Sequence, residues 1–272
     1  MTERVSPFTL DQIGSGAVRF SSKGIFETHK DKMVDPYTAT RIPKEPQVEG
    51  FQFWPQEKGI LPAILLLHER WGLTSQIQDM AKRLACEGFV VLTPNLYGRQ
   101  GGMITANAEV ATALVERMDE KTVLQDINAT CEFLNTNISE DANLEHTQRN
   151  LHAIVGFGLG GTLALRFACQ RKRLRAAVSF YGTIPSPIED LAQAYCPIQY
   201  HAAEHDDYVS AESVTQLEDF GKTSEKTISV YRYDNTQHGF SNDTFAEVYN
   251  KQAHDQAWET MVDFLKTSLG TQ

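Results

Sequence analysis

From about residue 50 onward, short apolar runs alternate with longer stretches of helical periodicity. Gly50 to Trp54 alternates until Pro55 and the Glu57-Lys58-Gly59 turn, which predicts a strand, with hairpin pairing to the next strand expected. Ala63 to His68, AILLLH, is a continuous apolar run that ends in a polar pair, the pattern of a strand buried on both faces of a parallel sheet. Thr74 to Glu87 predicts a helix: Thr74 or Ser75 supplies the cap, Ile77, Met80 and Leu84 share one side, and Gly88 ends it. Phe89 to Pro94 predicts the next strand, and helical patterns follow at about Thr105 to Met118 and Thr122 to Asn135. Later strands are expected at Ala176 to Tyr181, Ile198 to Ala202 and Thr227 to Tyr233, with a helix over Ala211 to Phe220 and a long one over Tyr249 to Leu269.

Strands that alternate with helices imply a mostly parallel, twisted sheet covered by helices on both faces and joined by right-handed crossovers. Residues 1 to 45 show little periodicity and carry turn formers at Ser21-Ser22-Lys23-Gly24, Asp35-Pro36, Pro43 and Pro46. They are expected to form an extended arm with one or two short strands, such as Gly16 to Phe20, ahead of an α/β domain over residues 46–272.

One stretch organises the rest. Leu151 to Gln170 reads as an apolar strand, a glycine-rich turn Gly156-Phe157-Gly158-Leu159-Gly160-Gly161, and a helix beginning near Thr162. Strand, sharp turn and helix make a nucleophile elbow, in which small residues stand two before and two after the central position. Gly156 and Gly160 meet that need, but the central residue is Gly158, which has no side chain to attack a carbonyl. Gly156, Gly158 and Gly161 also match the dinucleotide fingerprint G-x-G-x-x-G. That motif wants an acidic residue at the end of the next strand. The chain has Phe180-Tyr181-Gly182 there, which makes nucleotide binding the distant alternative.

Polar residues collect after the strands in the order Gly158, Asp206, His238, which is the nucleophile, acid, histidine order of α/β-hydrolases. His238 lies in a loop sequence, Gln237-His238-Gly239-Phe240, rather than in a packed pattern. Asp206, taken alone, reads more readily as a turn or helix-cap residue. Thr162 is a conceivable substitute nucleophile one turn into the helix, but helix geometry directs it away from the oxyanion hole, and it reads as a first-turn residue.

Composition narrows the partners. The 272 residues are 41% hydrophobic, enough for a substantial core, and 25 lysines and arginines against 35 aspartates and glutamates give a net charge of −10. No basic run of five or more residues appears, so nucleic acid and anionic membrane are not expected partners. No window approaches the ~20 apolar residues of a membrane-spanning helix, and the first 30 residues lack the apolar run of a signal peptide, so a cytoplasmic protein is expected. Cys86, Cys131, Cys169 and Cys196 lack metal-site spacing and read as buried free thiols.

His68-Glu69-Arg70-Trp71-Gly72-Leu73, Pro94-Asn95-Leu96-Tyr97-Gly98-Arg99, the elbow, Asp206 and His238-Gly239-Phe240 together resemble the dienelactone hydrolase family, over about Val48 to Leu269. The resemblance implies an α/β-hydrolase fold and the opening of small lactones and esters without metal or cofactor. By position it implies that Asp206 orients His238, that His238 is the general base, and that Glu69 contacts the nucleophile. It also implies that the backbone N–H groups of Leu159 and Arg70 hold the oxyanion, and that Arg99 binds a substrate carboxylate with Tyr97 and Trp71 nearby. The family's second carboxylate-binding arginine falls on Asn242. With Gly158 at the nucleophile position, three functions are open. The protein binds a small carbonyl or carboxylate ligand without covalent hydrolysis, or it hydrolyses esters through water activated by His238 and Asp206, or it is an engineered knockout of a working hydrolase. A monomer or small homo-oligomer is expected.

Overall fold

Burial on both faces decides which run takes the centre of the sheet: Ile64, Leu65, Leu66 and Leu67 are each fully buried. The computed structural model describes residues 5–22, 46–57, 60–136 and 147–271. Its strands are β1 (Ile13–Ser21), β2 (Gln47–Pro55), β3 (Leu61–Leu67), β4 (Val90–Pro94), β5 (Thr147–Phe157), β6 (Leu174–Phe180), β7 (Ile198–His205) and β8 (Ile228–Gln237). They form one sheet in the order β1-β2-β4-β3-β5-β6-β7-β8. From β4 to β8 all neighbours are parallel, and β1 and β2 add an antiparallel edge.

Helices α1 (Ser75–Cys86), α2 (Ala108–Glu116), α3 (Glu120–Thr136), α4 (Leu159–Ala168), α5 (Ala211–Thr223) and α6 (Lys251–Leu269) connect and cover the strands. Because a parallel strand buries both faces, the core splits in two. One half packs Val123, Ile127, Leu163 and Leu217 from α3, α4 and α5 under one face. The other packs Ile77, Met80, Met261 and Leu265 from α1 and α6 under the opposite face. Thr74 caps α1 by accepting the Ile77 N–H, and Gly88, at φ 96°, lets the chain turn out of it, as the sequence pattern predicts. No helix among the described residues is long and apolar enough to cross a membrane.

The expected hairpin between the strand at Gly50 to Trp54 and the next one is corrected. β2 pairs with β1 and β4, not with β3, whose edges are taken by β4 and β5. The crossover through α1 sets β4 between them. Of the expected arm, residues 13–21 make a full antiparallel ladder with β2, from Ile13 opposite Pro55 to Ser21 opposite Gln47, and so extend the sheet upstream of residue 46. The expected strand at Gly16 to Phe20 lies inside this ladder. The turn formers from Lys23 to Pro43 lie outside the described residues. Helix α4 starts at Leu159, three residues ahead of the expected start near Thr162.

A candidate acyl-chemistry site at the carboxyl end of the sheet

Strand register alone brings the site together. Leu67 pairs with Gly156, and Gly156 with Ser179. Two residues further along each strand, Glu69, Gly158 and Tyr181 leave the sheet in one row. His205 pairs with Gln237, so the next residues, Asp206 and His238, leave side by side from β7 and β8. All five stand at the carboxyl ends of the parallel strands, where open α/β sheets bind ligands.

The elbow is as tight as its glycines require. A β-carbon on Gly156 would lie 2.1 Å from the backbone of Gly160, and one on Gly160 would lie 2.4 Å from the Leu67 carbonyl. Gly158 itself, at φ 51° and ψ −113°, takes a conformation that side chains disfavour. Its N–H donates to the Phe180 carbonyl at 2.9 Å. Leu159 opens α4, and its N–H is therefore one of the amides that a helix leaves without an internal acceptor. Thr162 turns its hydroxyl back to the Gly158 carbonyl and accepts the Thr183 N–H at 2.8 Å, tying the elbow to the loop after β6. It faces away from the cleft, as helix geometry requires.

The histidine is held and aimed. Both carboxylate oxygens of Asp206 lie on His238 Nδ1, at 2.9 and 3.0 Å, so the proton sits on Nδ1 and leaves the Nε2 lone pair free. Asp206 Oδ1 also accepts the backbone N–H groups of Tyr208 and Val209, so the turn role and the histidine-orienting role are filled by one side chain. The rings of Tyr181 and Tyr208 flank the imidazole, with centroids 4.9 and 4.6 Å away. A β-carbon placed on Gly158 would lie 3.5 Å from His238 Nε2, 3.8 Å from Glu69 Cγ and 4.0 Å from Tyr181 Cε2.

Glu69 is buried between these groups. Oε1 accepts from the Tyr181 hydroxyl at 2.8 Å, and Oε2 from Asn242 Nδ2 at 3.2 Å. Burial raises its carboxyl above the ordinary carboxylate range, against the lowering effect of its hydrogen bonds and of His238. His68 donates from Nδ1 to the Glu69 carbonyl and accepts the Leu96 N–H on Nε2, so it is a neutral tautomer, and burial lowers its pKa to about 4. The same Glu69 carbonyl accepts the Gly72 N–H. These two bonds fix the peptide plane whose opposite end is the Arg70 N–H.

The cleft above Gly158 has a volume of about 450 Å³. Trp71, Phe245 and Val248 give it an apolar wall, with the Trp71 and Phe245 rings 4.8 Å apart. Arg70 is the one arginine or lysine among the described residues that line it, and its guanidinium lies over the rings of Trp71 and Tyr208, at 4.5 and 5.1 Å.

Two expected ligand contacts are corrected. Arg99 does not line the cleft. Its guanidinium fork is taken by Asp126 of α3, at 2.8 and 2.9 Å, and by Ser22 at 3.0 Å, in a separate depression on the α3 side. Tyr97 is fully buried beneath the site, where its hydroxyl donates to the Arg70 carbonyl at 2.9 Å; it positions that backbone rather than facing a ligand. Trp71 does face the cleft. Tyr181, Tyr208 and the hydrogen bond of Asn242 to Glu69 are additions that motif reading passed over. The place of Tyr181, at the end of the strand next to the elbow strand, is the signal that marks it. Its φ of 41°, strained for a tyrosine, is held by its N–H to the His201 carbonyl and its hydroxyl to Glu69. Among the described residues no group of three His, Cys, Asp or Glu side chains is placed to hold a metal ion. The cysteines are free thiols, with Cys86, Cys131 and Cys196 buried and Cys169 partly so.

A parallel sheet whose elbow, acid and histidine converge in this strand order defines an α/β-hydrolase fold. The model of the dienelactone hydrolase family matches residues 48–269, and the chain belongs to that family. It is 31% identical over 233 residues to a "Putative carboxymethylenebutenolidase" of Aquifex aeolicus, covering 82% of this chain and 94% of that one. It is 27% identical over 225 residues to a "Probable 2-oxo-3-(5-oxofuran-2-ylidene)propanoate lactonase" of a Bradyrhizobium species, covering 79% and 87%. A crystal structure described as a "Putative Dienelactone Hydrolase" from Klebsiella pneumoniae superposes with a TM-score of 0.75 at 20% identity, over 93% of this chain and 98% of that one.

Proposed function

We propose that the cleft binds a small ester, lactone or carboxylate and does not form an acyl-enzyme with it. One observation carries the reading: the residue at the tip of the elbow is a glycine, and His238 Nε2 faces the point where its β-carbon would stand, 3.5 Å away. In this reading Asp206 orients His238, and the N–H groups of Leu159 and Arg70 receive the carbonyl oxygen of the ligand. Glu69, hydrogen-bonded by Tyr181 and Asn242, walls the space that a nucleophile would fill. The names of the relatives support the ligand class, a small lactone or unsaturated acid. The test is mass spectrometry of the protein quenched in the presence of p-nitrophenyl acetate, alongside a binding titration with phenylacetate. Saturable binding with unmodified protein mass is expected; an acetyl group on any residue lining the cleft overturns the reading.

The intact bonds from Asp206 to His238 favour one second reading, in which His238 activates a water for direct attack on the ester. Triad enzymes stripped of a member keep roughly 10³–10⁴-fold catalysis over water. Slow p-nitrophenyl acetate turnover that survives in Gly158 protein and disappears in His238→Ala supports it, whereas turnover unchanged in His238→Ala rules it out.

A further inference from the structure

We propose that the depression where the chain passes from α4 into β6 binds a small anion carrying two or more phosphate groups. The site is separate from the cleft and rests on none of the acyl chemistry above.

The run Arg171-Lys172-Arg173-Leu174-Arg175 puts a cation at four of five positions, in a chain with 35 aspartates and glutamates against 25 lysines and arginines. Buried Leu174 opens β6 and anchors the run. Around it lies a depression of about 400 Å³ lined by Asn150, Lys172, Arg173, Leu174, Arg175 and Tyr195. From Leu174 to Phe180, β6 extends roughly 20 Å at ~3.3 Å per residue. The depression therefore sits at the amino end of the sheet, and the cleft above Gly158 at the carboxyl end.

Missing counter-charge marks the place. Arg99, Arg166, Arg171 and Arg232 are each paired with a carboxylate on a helix. Among the described residues no carboxylate lines the depression or pairs with its three cations. Arg173 has one hydrogen bond, to Asn150 Oδ1 at 3.4 Å, and the Lys172 ammonium lies 5.9 Å from the centre of the Tyr195 ring. The Arg175 guanidinium has no partner among the described residues. Positive charge also reaches inward: His152, paired with Leu174 in the sheet, is lowered to about 4 by burial and then by Arg171, against a smaller raising effect of Glu132.

Three gathered cations gain nothing from one another, and a single carboxylate would leave two of them uncompensated. Guanidinium forks bind phosphate oxygens in pairs, and lysine serves phosphate as a point charge. The volume falls in the range of about 300–1,000 Å³ typical of small-molecule sites. Tyr195, 46% exposed, offers a ring beside these charges, which suits the base of a nucleotide.

The test is isothermal titration calorimetry of the full chain with inorganic triphosphate and with ATP, in EDTA and at about 0.15 M salt, where distant exposed charges are screened. Saturable binding of triphosphate at one site is expected. Tighter binding of ATP, with the gain lost in Tyr195→Leu, makes the ligand a nucleotide; equal affinity makes it the oligophosphate itself. Arg173→Ala and Arg175→Ala, both at exposed positions, should each weaken triphosphate about tenfold. Arg117→Ala removes the same charge from an exposed residue at the end of α2 and should leave affinity unchanged. Circular dichroism checks the folding of each variant. No saturable binding overturns the proposal, as does full affinity in both Arg173→Ala and Arg175→Ala. Equal weakening by Arg117→Ala reduces the effect to general charge attraction and overturns it too. Glu140, Asp141 and Glu145 lie outside the described residues, between α3 and β5. Binding that appears only after all three are changed to Gln, Asn and Gln would assign the cations to the chain's own carboxylates and overturn the proposal.

Discussion

A β-carbon on Gly158 would touch His238 Nε2 at 3.5 Å, an ordinary contact rather than a clash. The site therefore has room for the side chain it lacks, and the obstacle is backbone strain at φ 51°, worth about 1–3 kcal/mol for a non-glycine residue. Gly158→Cys is expected to hydrolyse p-nitrophenyl acetate through an acyl-enzyme visible by mass spectrometry, and to melt at a lower temperature than wild type. A folded Gly158→Cys that stays unacylated would show that the amides and His238 are not arranged for acyl transfer.

Asp206 separates orientation from structure. Asp206→Asn keeps an oxygen for the Tyr208 and Val209 N–H groups, now bonded at 2.8 and 3.0 Å, so stability should change by less than about 1 kcal/mol. Its amide nitrogen, set against Nδ1, favours the opposite tautomer of His238. Nitrogen NMR of the imidazole should show the proton moved to Nε2, with every His238-dependent activity reduced. Asp206→Ala should lose stability as well, because the turn loses its acceptor.

Arg70, unlike Arg99, lines the cleft. Arg70→Met keeps an apolar stem over Trp71 and Tyr208 and removes the charge. Binding of phenylacetate should weaken about tenfold, or about 1.4 kcal/mol, while methyl phenylacetate binds as before, both read from Trp71 fluorescence with Trp71→Phe as the blank. Equal loss for acid and ester would assign Arg70 a packing role only.

How much was legible follows from the range of each signal. The buried strands could be read because AILLLH and its counterparts carry their burial in short consecutive runs, and β3, β4, β6 and β7 lie where those runs are. The Asp206–His238 pair was legible because both close a strand in hydrolase order. The neighbour of β2 was not, since β4 joins its edge only after α1 crosses over. Arg99 misled because its motif position says nothing of Asp126, twenty-seven residues on, whose carboxylate takes both arms of the fork. The bonds of Tyr181 and Asn242 to Glu69 were hidden for a similar reason: each joins residues far apart in the chain that only the folded sheet brings together.

The elbow glycines give a stability contrast that needs no ligand. An alanine β-carbon at Gly156 would meet the Gly160 carbonyl carbon and oxygen at 2.1 Å, backbone atoms that cannot move without breaking the turn. Gly156→Ala is expected to accumulate as insoluble protein. At Gly98 no atom of the described residues lies within 4 Å of the added carbon, and Gly98→Ala should stay within about 0.5 kcal/mol of wild type by urea titration. Comparable stability of the two variants would contradict the tight turn.

Buried histidines set the acid limit of the fold. His68, His152 and His254 have pKa values lowered to about 4, and His201 to about 3, with burial as the leading cause in each. His201 lies between the Tyr233 hydroxyl and the Gln199 side chain, two neutral partners. Since the folded values lie below the ordinary 6.5, the unfolded chain binds protons first as pH falls. Stability is therefore complete above about pH 6.5 and drains progressively toward pH 4. For His68 alone the loss is on the order of 3 kcal/mol, because each pH unit between its unfolded and folded titrations is worth about 1.4 kcal/mol. Glu69, whose carboxyl is raised, works the other way and stabilises the fold as pH falls, but one group does not reverse four. Melting temperature measured from about pH 7.5 to 4.5 should hold steady at first and then drop with increasing slope below about 6.5, and His201→Gln should flatten part of that slope. A melting temperature independent of pH across this range would mean that these imidazoles are charged, or hydrated, in the folded protein.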